Sequence, residues 1–193
     1  MSKFILASQS PRRKTLLEWA ELPFEVIVSA ANEDYPATLP INEVPVFIAL
    51  NKANAVKEKI GHDKWQDSCI IAADTVVVLA QQIIGKPIDE KDAINSLQRL
   101  SGKVHQVITG VVLMYQEKMI SFSETTQVEF HHLTQEQIEF YVSKYKPYDK
   151  AGGYAIQEWI GVVGIKSIQG DFYNVMGLPV SKLLQKIKQL GIS

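Results

Sequence analysis

Three features that would place this chain in a specialised class of protein are scarce. The 193 residues include a single cysteine, Cys69, which excludes an internal disulfide and a multi-cysteine zinc site. The longest apolar stretch, residues 69–80, contains Asp74 and Thr75 and is shorter than the roughly 20 residues that span a bilayer. Neither sign of charge dominates, since 20 Lys and Arg stand against 21 Asp and Glu. These shortages argue against a disulfide-stapled scaffold, a membrane protein and a protein held to nucleic acid by bulk positive charge.

What remains is the composition of an ordinary globular protein, with 46% hydrophobic residues, 11 Gly and 8 Pro. At roughly 150 residues per domain the length predicts one domain, which we expect to cover residues 1–193. The first residues are too poor in apolar side chains for a signal peptide, and a lone cysteine suits a reducing compartment. We therefore expect a cytoplasmic protein with neither a nucleic-acid nor a membrane partner.

Strand-like and helix-like segments alternate along the chain. Apolar residues from Val46 to Ile60 recur at helical spacing and predict the clearest helix. Two consecutive β-rich segments, 104–115 and 119–130, favour a mixed sheet over a purely parallel one. Thr134 and Gln137 resemble a capping box, which predicts a helix that ends before Pro147. The run from Trp159 to Ile168 predicts a further strand, and the segment from Pro179 to Leu190 predicts a closing helix. The predicted fold class is α/β.

A polar turn, Ser8-Gln9-Ser10-Pro11-Arg12-Arg13, follows the first predicted strand. Ser10 suits the N-cap of a helix and Pro11 its first position. A helix N-terminus beside two guanidinium groups favours an anion such as phosphate. The alternative is that the serines only cap the helix while the arginines are solvated. Generic nucleotide motifs do not decide, because the turn is neither a Walker loop nor a Gly-x-Gly-x-x-Gly turn.

Asp74 interrupts what would otherwise be a fully apolar strand, with four apolar residues on one side and Val76 to Leu79 on the other. A buried carboxylate is costly unless a cation, a metal or a function compensates for it. One interpretation is a general base or metal ligand at a strand end. The alternatives are a strand break, with Asp74 and Thr75 in a turn, or an ion pair between Asp74 and a core arginine.

Other candidate residues have two interpretations each. Lys52 lies beside the apolar stripe of the long helix and Lys86 lies in the turn Gly85-Lys86-Pro87, so each is either a surface lysine or an anion ligand. Glu33 and Asp34, in a proline-flanked loop, either bind a divalent cation or face solvent. The histidines lack a metal-ligand spacing, and the apolar run around Cys69 disfavours a reactive thiolate.

Several short motifs, in this order and spacing, resemble the Maf family of nucleoside triphosphate pyrophosphatases nearly from end to end. They are Leu6-Ala7-Ser8-Gln9-Ser10-Pro11-Arg12-Arg13, Asn51-Lys52-Ala53, Ala73-Asp74-Thr75, Gly85-Lys86-Pro87, Leu100-Ser101-Gly102, Asp149-Lys150-Ala151-Gly152-Gly153-Tyr154-Ala155-Ile156-Gln157 and Val175-Met176-Gly177-Leu178-Pro179. The resemblance implies an α/β fold similar to that of inosine triphosphatases, in which helices flank an elongated mixed sheet in two lobes with the active cleft between them. It also implies a homodimer.

Within the family the chain resembles the dTTP/UTP pyrophosphatase subgroup. In the related 7-methyl-GTP subgroup, Trp, Gln and Glu are typical at the positions that Arg12, Thr75 and Gln157 occupy here. Two positions depart from the pattern: Ala73 stands where Gly is usual, and Glu158-Trp159 follow Gln157 where a small residue is more familiar.

The resemblance implies a hydrolase acting on acid anhydrides, which converts dTTP and UTP to the monophosphate and pyrophosphate and so cleans the nucleotide pool. Asp74 would be the catalytic proton acceptor, and Mg²⁺ or Mn²⁺ would be the cofactor, with Glu33 as a ligand. The implied substrate-binding residues are Arg12, Arg13, Lys52, Thr75, Lys86 and Gln157. The alternatives are a pyrophosphatase for another nucleotide, such as a modified pyrimidine nucleotide or 7-methyl-GTP, and a non-catalytic nucleotide-binding regulator of cell division.

Overall fold

The computed structural model describes the backbone from Lys3 to Ile192 and the side chains from Phe4 to Ile192. In this part of the chain the strands are β1 (Lys3–Leu6), β2 (Phe24–Val26), β3 (Ser68–Leu79), β4 (Gln82–Ile84), β5 (Val104–Tyr115), β6 (Lys118–Phe130) and β7 (Ile165–Gln169). The helices are α1 (Pro11–Trp19), α2 (Val44–Gln66), α3 (Glu90–Leu100), α4 (Gln135–Tyr145), α5 (Trp159–Gly164), α6 (Phe172–Met176) and α7 (Val180–Gln189). A single 3₁₀ turn at Ala151–Gly153 precedes α5.

The strands form one mixed sheet in the order β2-β1-β3-β5-β6-β7, and β4 pairs with β3. β1 runs parallel to β2 and to β3, whereas β4 runs antiparallel to β3 and β7 antiparallel to β6. β3 is buried along almost its whole length, which explains its nearly continuous apolar sequence. The predicted α/β class with a mixed sheet flanked by helices is confirmed.

The chain divides into two compact units. The first comprises the described residues up to Asp74, residues 109–124 and those from Gly177 onward, and the second comprises residues 75–108 and 125–176. The division falls within β3, β5 and β6. The expectation of a single domain over the whole chain, and that of a cleft between two lobes, stay predictions.

The core of the first unit forms where α2 packs against the sheet. Ala49, Ala53 and Val56 of α2 are fully or almost fully buried, as the helical spacing predicted. Gly110 of β5 lies directly under the start of this helix, because a Cβ atom there would come within 2.2 Å of the Val46 nitrogen. The members of this core are Ile5, Ala7, Ala49, Ala53, Val56, Trp65, Ile70, Ala72, Val112 and Met114.

The core of the second unit lies among α3, α4 and the adjoining strands. Asp89 caps α3 by accepting a hydrogen bond from the Asp92 amide at 2.8 Å. The capping box predicted at the start of α4 is confirmed: the Gln137 amide donates to Thr134 Oγ1, and the Thr134 amide donates to Gln137 Oε1. The buried members of this core are Val77, Ile84, Ala93, Leu97, Leu100, Val107, Val128, Phe130, Ile138, Tyr141, Val142, Tyr154 and Ile160.

The prediction of a strand over residues 159–168 is wrong in its first half, where the chain forms the short helix α5 before β7 begins. The β-branched residues suggested a strand, but Gly161 allows the chain to turn tightly. A Cβ atom at Gly161 would lie 1.8 Å from the Ile156 oxygen, so glycine is required for this close approach. None of the helices in the described residues is long and apolar enough to cross a membrane.

Candidate active site

The turn between β1 and α1 is held by Arg13, a buried residue that is 8% exposed. Arg13 Nε donates to the Gly177 oxygen at 2.8 Å and Nη1 donates to Ser8 Oγ at 3.1 Å. Ser8 Oγ also accepts from the Ser10 amide at 3.2 Å. Ser10 occupies the N-cap position as predicted, but its own side chain makes no capping hydrogen bond. Arg13 therefore has a structural role, because it joins the turn to Gly177. Ser8 orders the turn by accepting hydrogen bonds from Arg13 and Ser10, a role that the sequence did not indicate.

Charges of both signs surround Arg13. Desolvation by burial lowers the pKa of its guanidinium, and the like charge of Arg12 acts in the same direction. The carboxylates of Asp74 and Glu33 raise the pKa and partly offset that effect. The structure thus brings Arg12, Arg13, Glu33 and Asp74 into electrostatic range of one another.

A lysine bridges the two carboxylates of this group. Lys52 Nζ, on α2, lies 2.7 Å from Asp74 Oδ1 and 2.8 Å from Glu33 Oε1. The side chains of Asp74 and Lys52 are 13% and 17% exposed, whereas that of Glu33 is 51% exposed. Lys52 therefore holds the largely buried carboxylate of Asp74 on one side and the more exposed carboxylate of Glu33 on the other.

The structure decides between some of the interpretations that the sequence allowed for Asp74. β3 continues without interruption through Asp74, so the alternative of a strand break is wrong. The direct ionic partner of Asp74 is Lys52 rather than an arginine. Lys52 is accordingly not the solvated surface lysine that its place beside the apolar stripe also allowed.

The loop that carries Glu33 is anchored to the same helix as Lys52. Asn51 Nδ2 donates to the Asn32 oxygen at 3.2 Å, and the Asp34 amide donates to Asn32 Oδ1 at 2.8 Å. Neighbouring residues of α2, Asn51 and Lys52, thus hold the backbone and the carboxylate of this loop. Asn51 belongs to the motif Asn51-Lys52-Ala53, and its side-chain amide is the feature that could have indicated this role from the sequence.

Thr75, Lys86 and Gln157 belong to the second unit. Thr75 follows Asp74 on β3 and is half-buried, whereas Lys86 and Gln157 are exposed. The Gly152 amide donates to the Gly85 oxygen at 3.0 Å, which ties the turn carrying Lys86 to the loop leading to Gln157. The grouping of these three residues with Asp74 in one pocket stays a prediction.

A buried polar pair lies beneath the loop of Gln157. His105 Nε2 and the Tyr154 hydroxyl are 2.7 Å apart, and both rings contact Phe130. Burial lowers the pKa of His105 to about 4 and raises that of Tyr154. Both groups are therefore neutral at neutral pH.

The described residues contain no group of three or more His, Cys, Asp or Glu side chains arranged to hold a metal ion. Glu33 and Asp74 nevertheless supply two hard carboxylates that share one cation. This donor set fits Mg²⁺, which binds through one or two carboxylates and takes its remaining ligands from water and substrate phosphates. Cys69 offers no alternative nucleophile, because desolvation raises the pKa of its buried thiol to about 12.

Comparison with known proteins places these residues in a family. The family model for Maf-like proteins matches residues 3–190. The dTTP/UTP pyrophosphatase of Cytophaga hutchinsonii is 48% identical over 186 residues, covering 96% of this chain and 83% of the relative. That of Parabacteroides distasonis is also 48% identical, over 187 residues and 96% and 95% of the two chains.

A solved structure shares the fold at much lower identity. The Ham1 protein of Staphylococcus aureus aligns with a TM-score of 0.53 and 14% identity, over 97% of this chain and 98% of that one. This likeness supports the predicted fold. The family match and the two relatives together show that the chain belongs to the Maf family of proteins.

Proposed function

We propose that this chain is a nucleoside triphosphate pyrophosphatase that hydrolyses dTTP and UTP to the monophosphate and pyrophosphate. The observation that carries the proposal is the Asp74 carboxylate, which lies on β3 in a side chain only 13% exposed and is held at Oδ1 by Lys52. A buried carboxylate fixed by a cation is suited to accept a proton at a defined place. The substrate is proposed from the names of the relatives, and removal of these nucleotides from the pool is the proposed cellular role.

Binding of a triphosphate requires several positive groups, because it carries about four negative charges. The groups proposed to bind the triphosphate are the side chains of Arg12, Lys52 and Lys86 and the positive N-terminal end of α1. Arg13 contributes its charge, while two of its N–H groups already hold Ser8 and the Gly177 carbonyl. Arg13 is therefore proposed to bind substrate mainly through its field and through the turn that it fixes.

The reaction proposed is attack of water on the α-phosphorus. The water oxygen forms a bond to phosphorus, the bond from phosphorus to the bridging oxygen breaks, and pyrophosphate leaves with the electron pair. Asp74 accepts the proton of the attacking water and later releases it to solvent. Lys52 holds the Asp74 carboxylate in place, because its ammonium donates a hydrogen bond to Oδ1 at 2.7 Å.

Glu33 and Asp74 would hold the divalent cation, Mg²⁺ or Mn²⁺. The bound cation would neutralise charge on the phosphates and on the departing pyrophosphate. Glu33 is suited to this part because its side chain reaches solvent while its Oε1 contacts Lys52.

Base selection is proposed to depend on Arg12, Thr75 and Gln157. The amide of Gln157 both donates and accepts hydrogen bonds, which matches the edge of a thymine or uracil. Thr75 is small enough to leave room beside the base. Without a dedicated contact to the sugar 2′ position, UTP and dTTP would be used alike.

We further propose a homodimer and a cytoplasmic location. The dimer is proposed from the family resemblance, and sedimentation of the purified protein would test it. The location is proposed from the single buried thiol and from a substrate found in the intracellular nucleotide pool. Cell fractionation with an antibody would test it.

The decisive experiment is hydrolysis of UTP, dTTP, CTP, GTP and 7-methyl-GTP with Mg²⁺ or Mn²⁺, followed by ³¹P NMR. We expect pyrophosphate from UTP and dTTP, and a loss of about 100- to 10,000-fold in kcat for Asp74→Asn with nucleotide binding largely kept. Glu124→Gln is the matched control, since Glu124 also pairs with a lysine, Lys182, at 2.7 Å in the same unit.

Three results would contradict the proposal. Orthophosphate as the first product would exclude attack at the α-phosphorus. Turnover of 7-methyl-GTP alone would favour the other specificity. Binding without turnover of any nucleotide would favour the non-catalytic regulator.

A further inference from the structure

The backbone on both sides of Gln157 is tied to one buried tyrosine of α4. Before Gln157, the Ala155 amide donates to the Tyr141 hydroxyl at 3.2 Å. After it, the Tyr141 hydroxyl donates to Glu158 Oε2. Tyr141 is fully buried, so this hydroxyl holds two points of the loop, three residues apart, against the core of the second unit.

Glu158 completes the arrangement through a lysine. Lys150 Nζ lies 3.5 Å from Glu158 Oε1, and the two side chains are 10% and 22% exposed. Hydrogen bonds to a charged, partly desolvated carboxylate are stronger than neutral ones. Because the Tyr141 hydroxyl donates its hydrogen bond to the carboxylate, its oxygen is left to accept from the Ala155 amide, and the two bonds reinforce each other.

The residues next to Gln157 have little freedom. α5 packs so closely on Ile156 that only glycine fits at position 161, and the Gly161 amide donates to the Glu158 oxygen at 2.9 Å. Residues 152–156 are all buried, and Gln157 is exposed. The loop therefore presents the Gln157 side chain to solvent from a fixed backbone, and a supported backbone is what a selective hydrogen-bonding group requires.

We propose that Glu158 and Tyr141 are positioning residues that fix Gln157 for recognition of the pyrimidine edge, and so set the preference for UTP over CTP. This inference rests on the proposed function. Uracil presents O4 as an acceptor at the position where cytosine presents its N4 amino donor. A glutamine held in one place selects between these edges, whereas a glutamine on a loose loop shifts and turns its amide to meet either.

The test compares kcat/KM for UTP and for CTP in the wild type, Gln157→Ala, Glu158→Gln and Tyr141→Phe. We expect Glu158→Gln and Tyr141→Phe to lower the UTP to CTP ratio about tenfold, mainly through KM for UTP. Combining Glu158→Gln with Gln157→Ala should lower the ratio no further than Gln157→Ala alone. Glu129→Gln is the matched control, because Glu129 also pairs with a lysine and a hydroxyl, those of Lys166 and Ser167.

A second measurement, hydrogen exchange of the amides of residues 155–158, needs no substrate. We expect faster exchange at Ala155 in Tyr141→Phe and in Glu158→Gln, and no change in Glu129→Gln. If Tyr141→Phe does not fold, Glu158→Gln alone decides the test. We expect this variant to fold, because the Glu158 side chain is partly exposed.

The outcomes separate this inference from the proposed function. If kcat/KM for UTP and kcat/KM for CTP fall by the same factor in the variants, or if exchange at Ala155 is unchanged, Glu158 and Tyr141 do not position Gln157. The inference is then overturned, and the proposed enzymatic function is unaffected. If the wild type fails to prefer UTP, or Gln157→Ala keeps the preference, the proposed base recognition fails, and the positioning of Gln157 for it fails with it.

Discussion

Two groups of polar side chains, one in each compact unit, are buried by different means. In the first unit Lys52 joins Asp74 and Glu33 through ion pairs of 2.7 and 2.8 Å, and half of the Glu33 side chain remains exposed. In the second unit His105 and Tyr154 share one hydrogen bond of 2.7 Å, and burial keeps both uncharged at neutral pH. The first group keeps its charges by pairing them, and the second avoids charge altogether.

The difference assigns separate roles to the two groups. Ion pairs that reach solvent exchange partners at little cost, so their charges are available to a ligand. A neutral pair closed within aromatic rings has no exposed face for a ligand, and its hydrogen bond stabilises the fold. Changes in the first group should therefore act mainly on turnover, and changes in the second mainly on stability.

The largest effect is expected from Lys52→Met, which removes the cation of the charged group in the first unit. Removing the ammonium leaves two carboxylates side by side and deprives the triphosphate of a cation, so kcat/KM for UTP should fall about 100- to 1,000-fold. Steady-state kinetics measures this loss. Lys182→Met, which breaks the ion pair with Glu124 in the same unit, should leave kcat/KM unchanged. Equal losses in the two variants would remove the distinction between the charged group and an ordinary ion pair.

The next effect is a pH dependence of stability caused by His105. Since the folded pKa of His105 is lowered from 6.5 to about 4, the unfolded chain binds the proton more readily between these values. The free energy of unfolding should fall by about 3 kcal/mol as the pH falls through this window, and the loss should end below pH 4.

Urea unfolding between pH 7 and pH 4 measures this dependence. In His105→Leu the decline should be smaller by that amount, although the variant is less stable at pH 7. His62→Leu, which removes a histidine whose side chain is 80% exposed, should keep the wild-type decline. A decline in His105→Leu that matches the wild type would show that His105 is not held neutral by burial.

A smaller effect is expected from Tyr154→Phe. The variant keeps the aromatic contacts but leaves His105 Nε2 without the hydroxyl, which should lower the free energy of unfolding by about 1 to 2 kcal/mol. The urea midpoint at pH 7 measures this change, and Tyr35→Phe at an exposed position is the control. A shift no larger than that of the control would show that water replaces the hydroxyl.

The smallest effect is that of Glu129→Gln. Hydrogen bonds from Lys166 and Ser167 lower the pKa of Glu129, so its contribution to stability is present at neutral pH and lost as the pH falls through that lowered pKa. Solvent screens this exposed pair, and the urea midpoint at pH 7 should not move measurably. A clear loss of stability would mean that ion pairs of this kind, and not only buried ones, hold the second unit together.

The parts of the fold that the sequence predicted correctly have strong local patterns. The apolar stripe of α2, the capping box at Thr134 and the apolar run of β3 each follow from the neighbouring residues. Asp74 stood out for the same reason, because a carboxylate inside an apolar strand needs a partner. The sequence could not name that partner, since Lys52 is 22 residues away and comes near only through the fold.

The parts that the sequence missed depend on contacts between distant segments. The helical turn from Trp159 to Gly164 forms because Gly161 packs on the Ile156 carbonyl, and no periodicity records such a contact. Likewise the hydrogen bond from Arg13 to the Gly177 carbonyl joins residues 164 apart, so the resemblance implied a substrate role for Arg13 but no local pattern indicated its structural role. Short helices and backbone acceptors leave little trace in composition or spacing.

The buried thiol of Cys69 has a practical consequence for work on this molecule. With a pKa of about 12 it is almost wholly protonated at neutral pH, so maleimide dyes should leave the wild-type chain unlabelled. A single substitution at an exposed helix position, such as Ser143→Cys on α4, would then be the sole reactive site without prior removal of the native cysteine. A fluorophore would then occupy one known position in a chain that differs from the natural one by one residue.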